Sequence, residues 1–131
     1  MVAGHGGRVQ RWEAYPFGAT VVLSLFAFFL PGPSLPEGPP VSDKLEHAGI
    51  FLALVLTGRF AGYAARPLAY GLAAYAVASE LLQAVLPIHR TGDLGDLLAD
   101  AAGIALGLYL AHLGGRALHR LDERNQRARY R

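Results

Sequence analysis

The sequence contains no cysteine. Disulfide bonds, thiolate catalysis and cysteine-ligated zinc sites are therefore excluded. Charged residues are also scarce, at 17% of the 131 residues, whereas a soluble domain usually contains about a quarter. Hydrophobic residues make up 53%. This balance favours a polytopic membrane protein, and the length fits one domain.

Four apolar stretches are candidates for membrane-spanning helices. We predict an all-α, polytopic membrane protein with a four-transmembrane-helix bundle, whose spans cover residues 14–30, 44–61, 67–86 and 94–113. A basic start before an apolar run also describes a signal peptide, but no small-x-small cleavage site follows, which favours an uncleaved first span. The chain then divides into an N-terminal segment (1–13), a membrane domain (14–115) and a basic tail (116–131).

Local signals place the helix ends. Residues 31–40 contain five prolines, so we expect a stiff extended loop. Asp43 is predicted to be the N-cap of the second span, because Glu46 three residues later completes a capping box. The remaining signals are Pro67 at the start of the third span, Asp93 as cap of the fourth, and a glycine pair at its end, residues 114–115.

The basic residues predict the orientation. Arginines lie in the N-terminal segment, in the turn after the second span and in the tail, whereas the other two loops carry only Lys44 and Arg90. The positive-inside rule then places both termini in the cytoplasm, with the protein in the cytoplasmic (inner) membrane. The sequence shows no nucleic-acid-binding module, and anionic membrane lipids explain the basic tail better.

Polar residues of three predicted helices converge at the outer end of this bundle. Asp43 and His47 lie one turn apart, and the third span contributes Glu80 and Gln83 in the same way. The remaining members of the set are Lys44, Arg90, Asp93, Asp96 and Asp100. A carboxylate within a membrane helix costs roughly 2.5–3.5 kcal/mol, so such residues usually face a bundle interior or a wet cavity.

Two glycines continue the acidic stripe of the fourth span. Asp93, Asp96 and Asp100 are spaced three and four residues apart, and Gly103 and Gly107 follow on the same face. A G-x-x-x-G pair allows close approach of a neighbouring helix. The acidic side of the fourth helix is therefore predicted to be its close-packing side.

The three motifs together resemble the VanZ-like family of small membrane proteins, named for a teicoplanin-resistance protein. The resemblance covers residues 43–107 and consists of D-K-x-x-H, E-x-x-Q and R-x-x-D-x-x-D on successive spans, followed by the glycine-rich last span. One departure is Asp100, where the family has asparagine. The resemblance implies the membrane topology, a role in the cell envelope, and a link to antibiotic resistance of the glycopeptide (teicoplanin) kind.

The individual residues allow several roles. Glu80 and His47 are the candidates for catalytic acid–base groups, and Glu80 could instead form an ion pair with Lys44 or Arg90. Asp96 and Asp100 could hold a divalent cation together with Glu80, although no cofactor is required by the sequence. Asp93 and Asp96 also suit the positive end of a helix dipole. Ser79 is about 100° off the face of Glu80, which argues against a serine nucleophile.

Three functions remain open from the sequence. The first is a non-catalytic factor whose acidic outer pocket binds an envelope lipid or glycolipid headgroup. The second is an intramembrane hydrolase or transferase acting on a lipid-linked phosphate or ester, with Lys44 and Arg90 stabilising negative charge. The third is a proton-coupled transporter with Glu80 as carrier, which four short spans without an internal repeat make the weakest of the three.

Overall fold

Four α-helices make up the fold. The computed structural model describes residues 11–30, 40–88 and 92–129, and within them all regular structure is helical. A short 3₁₀ turn, Arg11–Glu13, leads into helix α1. The helices are α1 (Ala14–Phe29), α2 (Pro40–Phe60), α3 (Ala65–Val85) and α4 (Leu94–Arg129). The predicted all-α class with four helices is confirmed, whereas the proline loop over residues 31–39 lies outside the described residues.

Helix α2 begins earlier than the sequence indicated. Its first residue is Pro40, so Asp43 lies inside the first turn and is not the N-cap. Proline is favourable at the first helical position, because its fixed φ suits a helix and its missing N–H has no intrahelical partner there. The prediction of Asp43 as N-cap was therefore wrong, but its carboxylate still lies at the positive end of the helix dipole.

The turn after α2 is closed by a Schellman motif. Gly62 has a φ of 87°, a conformation that side chains with a Cβ rarely adopt. The N–H of Tyr63 donates to the carbonyl of Gly58 at 3.1 Å, and the N–H of Gly62 donates to the carbonyl of Arg59 at 3.1 Å. These two bonds satisfy the free carbonyls at the end of α2, and the chain turns directly into α3.

Helix α3 also begins slightly before its predicted start. Its first residue is Ala65, so Pro67 lies third in the first turn and not at the first position. All three N–H groups of this turn lack intrahelical partners in any case, which is why proline is tolerated there.

Helix α4 continues through the glycine pair at which it was predicted to end. It covers 36 residues, to Arg129. Gly114 and Gly115 have no neighbouring atoms within 4 Å of an added Cβ, so no packing contact bends the chain there. Beyond them the side chains of Asp122 and Gln126 are hydrogen-bonded one turn apart at 3.0 Å, a spacing that supports an isolated helix.

Helix α2 is central to the bundle. It contacts each of the other three helices, and its interface with α4 is the most extensive. The buried apolar core is formed by residues from all four helices: Phe28, Phe51, Leu54, Val55, Leu68, Leu72, Ala76 and Ile104. The glycine stripe of α4 faces α2, because a Cβ on Gly103 would meet the carbonyl oxygen of Ala48, and one on Gly107 would lie 2.7 Å from Val55 Cβ. The predicted close-packing face is confirmed.

The outside of the bundle is unusually apolar. Large exposed hydrophobic side chains lie along α1, α3 and α4, among them Leu23, Phe26, Val77, Leu81, Val85, Leu98, Leu106 and Leu110. Several ionisable side chains are buried instead, namely His47, Glu80, Asp96 and Asp100. Many large apolar side chains on the outside, together with four buried ionisable side chains beside the apolar core, are unusual for a soluble protein.

Two of the described helices, α3 and α4, are long and apolar enough to cross a membrane. Helix α1 has 16 residues, or about 24 Å, which is short for the hydrocarbon core. Helix α2 carries Asp43, Lys44 and Glu46 near its start and Arg59 near its end. The protein is thus helical with two possible membrane spans, and the bundle of four spans stays a prediction.

Candidate functional site

The polar residues converge where the starts of α2 and α4 meet the ends of α1 and α3. They form two levels. The outer layer consists of Asp43, Lys44, Asp93 and Asp96, and the inner cluster consists of His47, Glu80 and Asp100. Residues from three different helices thus meet at one end of the bundle, as the sequence predicted.

Asp93 organises the start of α4. Its Oδ1 accepts a hydrogen bond from the backbone N–H of Gly95 at 2.9 Å, and its backbone carbonyl accepts from the N–H groups of Asp96 and Leu97. This is N-cap geometry, so the predicted capping role of Asp93 is confirmed. The cap leaves Asp93 Oδ2 free to turn towards α2.

Lys44 joins α2 to the start of α4. Its Nζ donates to Asp93 Oδ2 at 2.9 Å and to Asp96 Oδ1 at 3.0 Å. The ammonium group of Lys44, together with the N–H of Gly95, holds the pKa of Asp93 below its usual range. Asp93 remains about half exposed, whereas Asp96 is buried. The outer layer is therefore an ion-paired surface above a buried carboxylate.

The inner cluster is almost closed to solvent. His47 is 1% exposed, Glu80 8% and Asp100 0%. His47 Nδ1 lies 2.9 Å from Asp100 Oδ1 and 3.8 Å from Glu80 Oε1. Burying two carboxyl groups beside one imidazole is costly, because the free energy needed to remove charges from water can exceed the free energy gained from their mutual attraction.

Glu80 connects α3 to the cap of α4. Its Oε2 accepts a hydrogen bond from the backbone N–H of Asp93 at 2.9 Å. Its other oxygen, Oε1, is buried and has no hydrogen-bond partner among the described residues, and the same is true of Asp100 Oδ2. Buried polar atoms are nearly always satisfied, so two carboxylate oxygens without a partner among the described residues set this cluster apart from the rest of the core.

Phe28 covers the inner cluster from α1. Its ring stacks on the imidazole of His47, with ring centroids 4.7 Å apart. The side chain of Gln83 donates to the carbonyl of Phe28 at 3.2 Å, which satisfies a carbonyl at the end of α1. Gln83 therefore tethers α1 and does not reach the carboxylates. Sequence reasoning missed Phe28, because nothing distinguishes it from Phe26 and Phe29 beside it.

Several further predictions can be compared with this geometry. Glu80 does not pair with Lys44, whose ammonium is shared by Asp93 and Asp96. Ser79 donates to the carbonyl of Ala76 at 2.9 Å, within its own helix. Arg90 lies outside the described residues, so its predicted role in the site stays a prediction.

Two sets of side chains have the spacing of metal ligands. One is Asp43, His47 and Asp96, and the other is His47, Glu80 and Asp100; the candidate ligand atoms of each set lie within 4.8 Å of one another. The cation site expected from Asp96, Asp100 and Glu80 is not assembled as such, because Asp96 groups with Asp43 on the outer layer. His47 belongs to both sets.

No protein-family model, curated protein or solved structure matches this chain. The resemblance to the VanZ-like family therefore stays a prediction from the motifs, and the function has to be argued from the site itself.

Proposed function

We propose that this chain is a VanZ-like integral membrane protein of the cell envelope, and that its acidic outer layer binds the polar headgroup of a lipid or glycolipid. The observation that carries the proposal is the excess of carboxylates. In the part of the chain that the structure describes, Asp93 and Asp96 share the ammonium group of Lys44, so two carboxylates meet one cation there. Ionised carboxylates only accept hydrogen bonds, so the site suits a headgroup rich in donors.

The surroundings of the outer layer suit the rest of such a ligand. Val41, Leu45, Leu94 and Leu98 are all more than 60% exposed, on the same helical turns as the carboxylates. Hydroxyl or ammonium donors would meet the carboxylates, while acyl chains would contact the neighbouring apolar side chains. The exposed apolar side chains and the buried ionisable side chains support a lipid environment for the bundle.

A binding experiment tests this proposal. The full chain is purified in a detergent without a sugar headgroup, and its affinity is measured by native mass spectrometry for monoglucosyl diacylglycerol, phosphatidylethanolamine and phosphatidylcholine. The first offers hydroxyl donors, the second an ammonium group, and the third no donor at all. We expect the first or the second to bind more tightly than phosphatidylcholine. Equal affinity for all three would contradict the proposal.

Substitutions locate the binding surface. Asp43→Asn and Asp93→Asn should each weaken binding about tenfold, because a hydrogen bond to a charged group contributes about 1.5–3 kcal/mol. Glu123→Gln is the matched control, since Glu123 is an exposed carboxylate of the tail, paired with His119. Equal loss in all three variants would mean that overall charge, and not the site, controls binding.

The membrane orientation can be tested separately. Because the chain has no cysteine, single cysteines can be introduced without background. Ser34→Cys, in the proline-rich loop, should react with a membrane-impermeant maleimide in intact cells. Arg124→Cys, in the tail, should react only after permeabilisation if both termini are cytoplasmic. The opposite pattern would reverse the proposed topology.

An intramembrane hydrolase or transferase is the second candidate, and the pairing of His47 with Asp100 favours it. A carboxylate that holds one imidazole nitrogen orients the ring and leaves the other nitrogen to act as a base. Against this reading, the ammonium of Lys44 already serves two carboxylates. The test is whether the wild type releases inorganic phosphate from a lipid-linked phosphate. If Glu80→Gln abolishes this release but still binds the lipid, the enzyme is favoured over the binding factor.

The link to teicoplanin resistance is proposed from the resemblance alone. It predicts that expression raises the teicoplanin concentration needed to inhibit a susceptible host, and that Asp43→Asn removes the effect at an unchanged protein level. If expression of the wild type leaves the inhibitory teicoplanin concentration unchanged, the proposed link to resistance is wrong. Headgroup binding is tested independently by the binding experiment above.

A further inference from the structure

We propose that the inner cluster of His47, Glu80 and Asp100 binds a divalent transition metal ion. This goes beyond headgroup binding, which was assigned to the outer layer. The three side chains come from three helices, α2, α3 and α4, so an ion bound among them would hold these helices together at one point.

The separations fit a coordination sphere. Ligand atoms bound to one ion at about 2.0–2.2 Å lie roughly 3.0–3.5 Å from one another. His47 Nδ1 is 2.9 Å from Asp100 Oδ1 and 3.8 Å from Glu80 Oε1, and the candidate ligand atoms of all three side chains fall within 4.8 Å of each other. An ion there would replace the hydrogen bond between His47 and Asp100, and the separation of His47 Nδ1 from Glu80 Oε1 would have to shorten by about 0.3 Å.

The unsatisfied oxygens provide an independent reason. Glu80 Oε1 and Asp100 Oδ2 are buried without a hydrogen-bond donor among the described residues, and Asp100 is completely inaccessible. Protonation of one carboxyl group would neutralise only one of the two negative charges. A divalent cation would satisfy both carboxylates and neutralise their charges at the same time.

The donor set indicates which metals to expect. Magnesium and calcium prefer oxygen ligands throughout, whereas imidazole suits zinc, iron and copper, and carboxylates also suit manganese. One imidazole with two carboxylates therefore favours Zn²⁺ or Mn²⁺ over Mg²⁺. Three protein ligands leave at least one further position, as in zinc sites that accept water or a substrate.

The inner set is a better site than the outer one. Asp96 in the outer set is already bonded to Lys44 at 3.0 Å, and Asp43 is exposed to solvent. A metal at the outer set would have to displace the lysine or compete with water. The inner carboxylates have no such cation beside them in the described part of the chain.

A metal titration of the full chain tests the proposal. The protein is purified in detergent, stripped with a chelator and titrated with Co²⁺, whose visible absorption reports coordination by protein ligands, and Zn²⁺ is then added as competitor. We expect one Co²⁺ per chain, displaced by Zn²⁺ and not by equimolar Mg²⁺. Absence of visible absorption in the wild type would overturn the proposal without any variant being needed.

Variants assign the ligands. Glu80→Gln and Asp100→Asn should each lower Zn²⁺ affinity roughly 10–100-fold or more, since even supporting residues around a metal site have effects of that size. His119→Gln is the control, because His119 and Glu123 form an exposed pair on the tail that could hold a metal weakly. Unchanged affinity in both inner variants, or loss only in the control, would refute the assignment.

Discussion

At Gly103, α4 lies directly against the backbone of α2, and a single methyl group there should disturb both packing and site. An added Cβ would meet the backbone carbonyl oxygen of Ala48 and would lie 3.0 Å from Ala48 Cα. Backbone atoms cannot rotate away as the tip of a side chain can. Gly103→Ala must therefore push the two helices apart over at least one turn.

The magnitude follows from two opposing effects. Overpacking a well-filled interface costs about 1–3 kcal/mol, and contact with backbone places Gly103→Ala at the upper end of that range. The better helix propensity of alanine returns about 1 kcal/mol. We expect a net loss of about 2 kcal/mol in the free energy of unfolding, the difference of these two contributions.

The displacement should also reach the inner cluster. Ala48 follows His47 in α2, and Gly103 lies three residues after Asp100 on the same face of α4. Separation of the helices at this point lengthens the 2.9 Å contact between His47 Nδ1 and Asp100 Oδ1. Gly103→Ala should consequently weaken any binding of Co²⁺ at the inner cluster as well as stability.

Gly114→Ala is the matched control. Gly114 lies in the same helix, and no atom lies within 4 Å of an added Cβ, so only the propensity effect remains, a gain of up to about 1 kcal/mol. Unfolding of both variants by titration with a denaturing detergent, followed by circular dichroism, measures the difference. If Gly103→Ala proves as stable as Gly114→Ala, the close packing of α2 on α4 is not as described.

Three further substitutions test separate parts of the structure. Asp93→Asn keeps an N-capping side chain but removes the ion pair with Lys44. The pKa of Asp93 is lowered in the folded state. The pair therefore stabilises the fold at pH values above the unfolded pKa of about 3.9, and this stabilisation is lost as the pH falls through the folded pKa. The melting temperature of the wild type should therefore fall more steeply than that of Asp93→Asn on acidification below about pH 4, and parallel curves would exclude a contribution from the pair. Gly62→Ala should cost about 1–2 kcal/mol, because φ is 87° there and a Cβ disfavours that conformation; an unchanged denaturation midpoint would contradict it. Phe28→Ala should lower the free energy of unfolding by about 3–5 kcal/mol, since Phe28 is fully buried against His47. Phe26 is 58% exposed, so Phe26→Ala serves as the control in the same measurement. Equal losses of stability in the two variants would argue against the stacking.

The helical elements were largely predictable, because their signals are local. Apolar stretches, the Asp93 cap and the glycine turn each act within one or two helical turns, and α1 ends within one residue of its predicted end. The errors have the same local character. Asp43 offered a capping pattern, but Pro40 three residues earlier was an equally good start, and local sequence does not decide between two acceptable starts.

The site was predictable in composition but not in pairing. Helical phase placed Asp96 and Asp100 on the packed face of α4, and the structure buries both. The pairing of each carboxylate with a cation depends on how far neighbouring helices are shifted along their axes. Hydrophobic periodicity does not report that shift. An ion pair of Glu80 with Lys44 or Arg90 was one alternative open from the sequence, and Lys44 lies against Asp93 and Asp96.

The sequence by itself determined the class of the protein: a helical chain without cysteine, poor in charge, whose few ionisable residues recur at helical spacing in three segments. Those properties follow from residue type and order alone. Only the tertiary structure decided that His47, Glu80 and Asp100 share one buried cluster, that Phe28 covers it, and that two of its carboxylate oxygens have no partner in the described part of the chain. Each of these depends on the distances between residues of different helices, which no single segment encodes; the contact of Gly103 with Ala48 is one of those that bring α2 and α4 together.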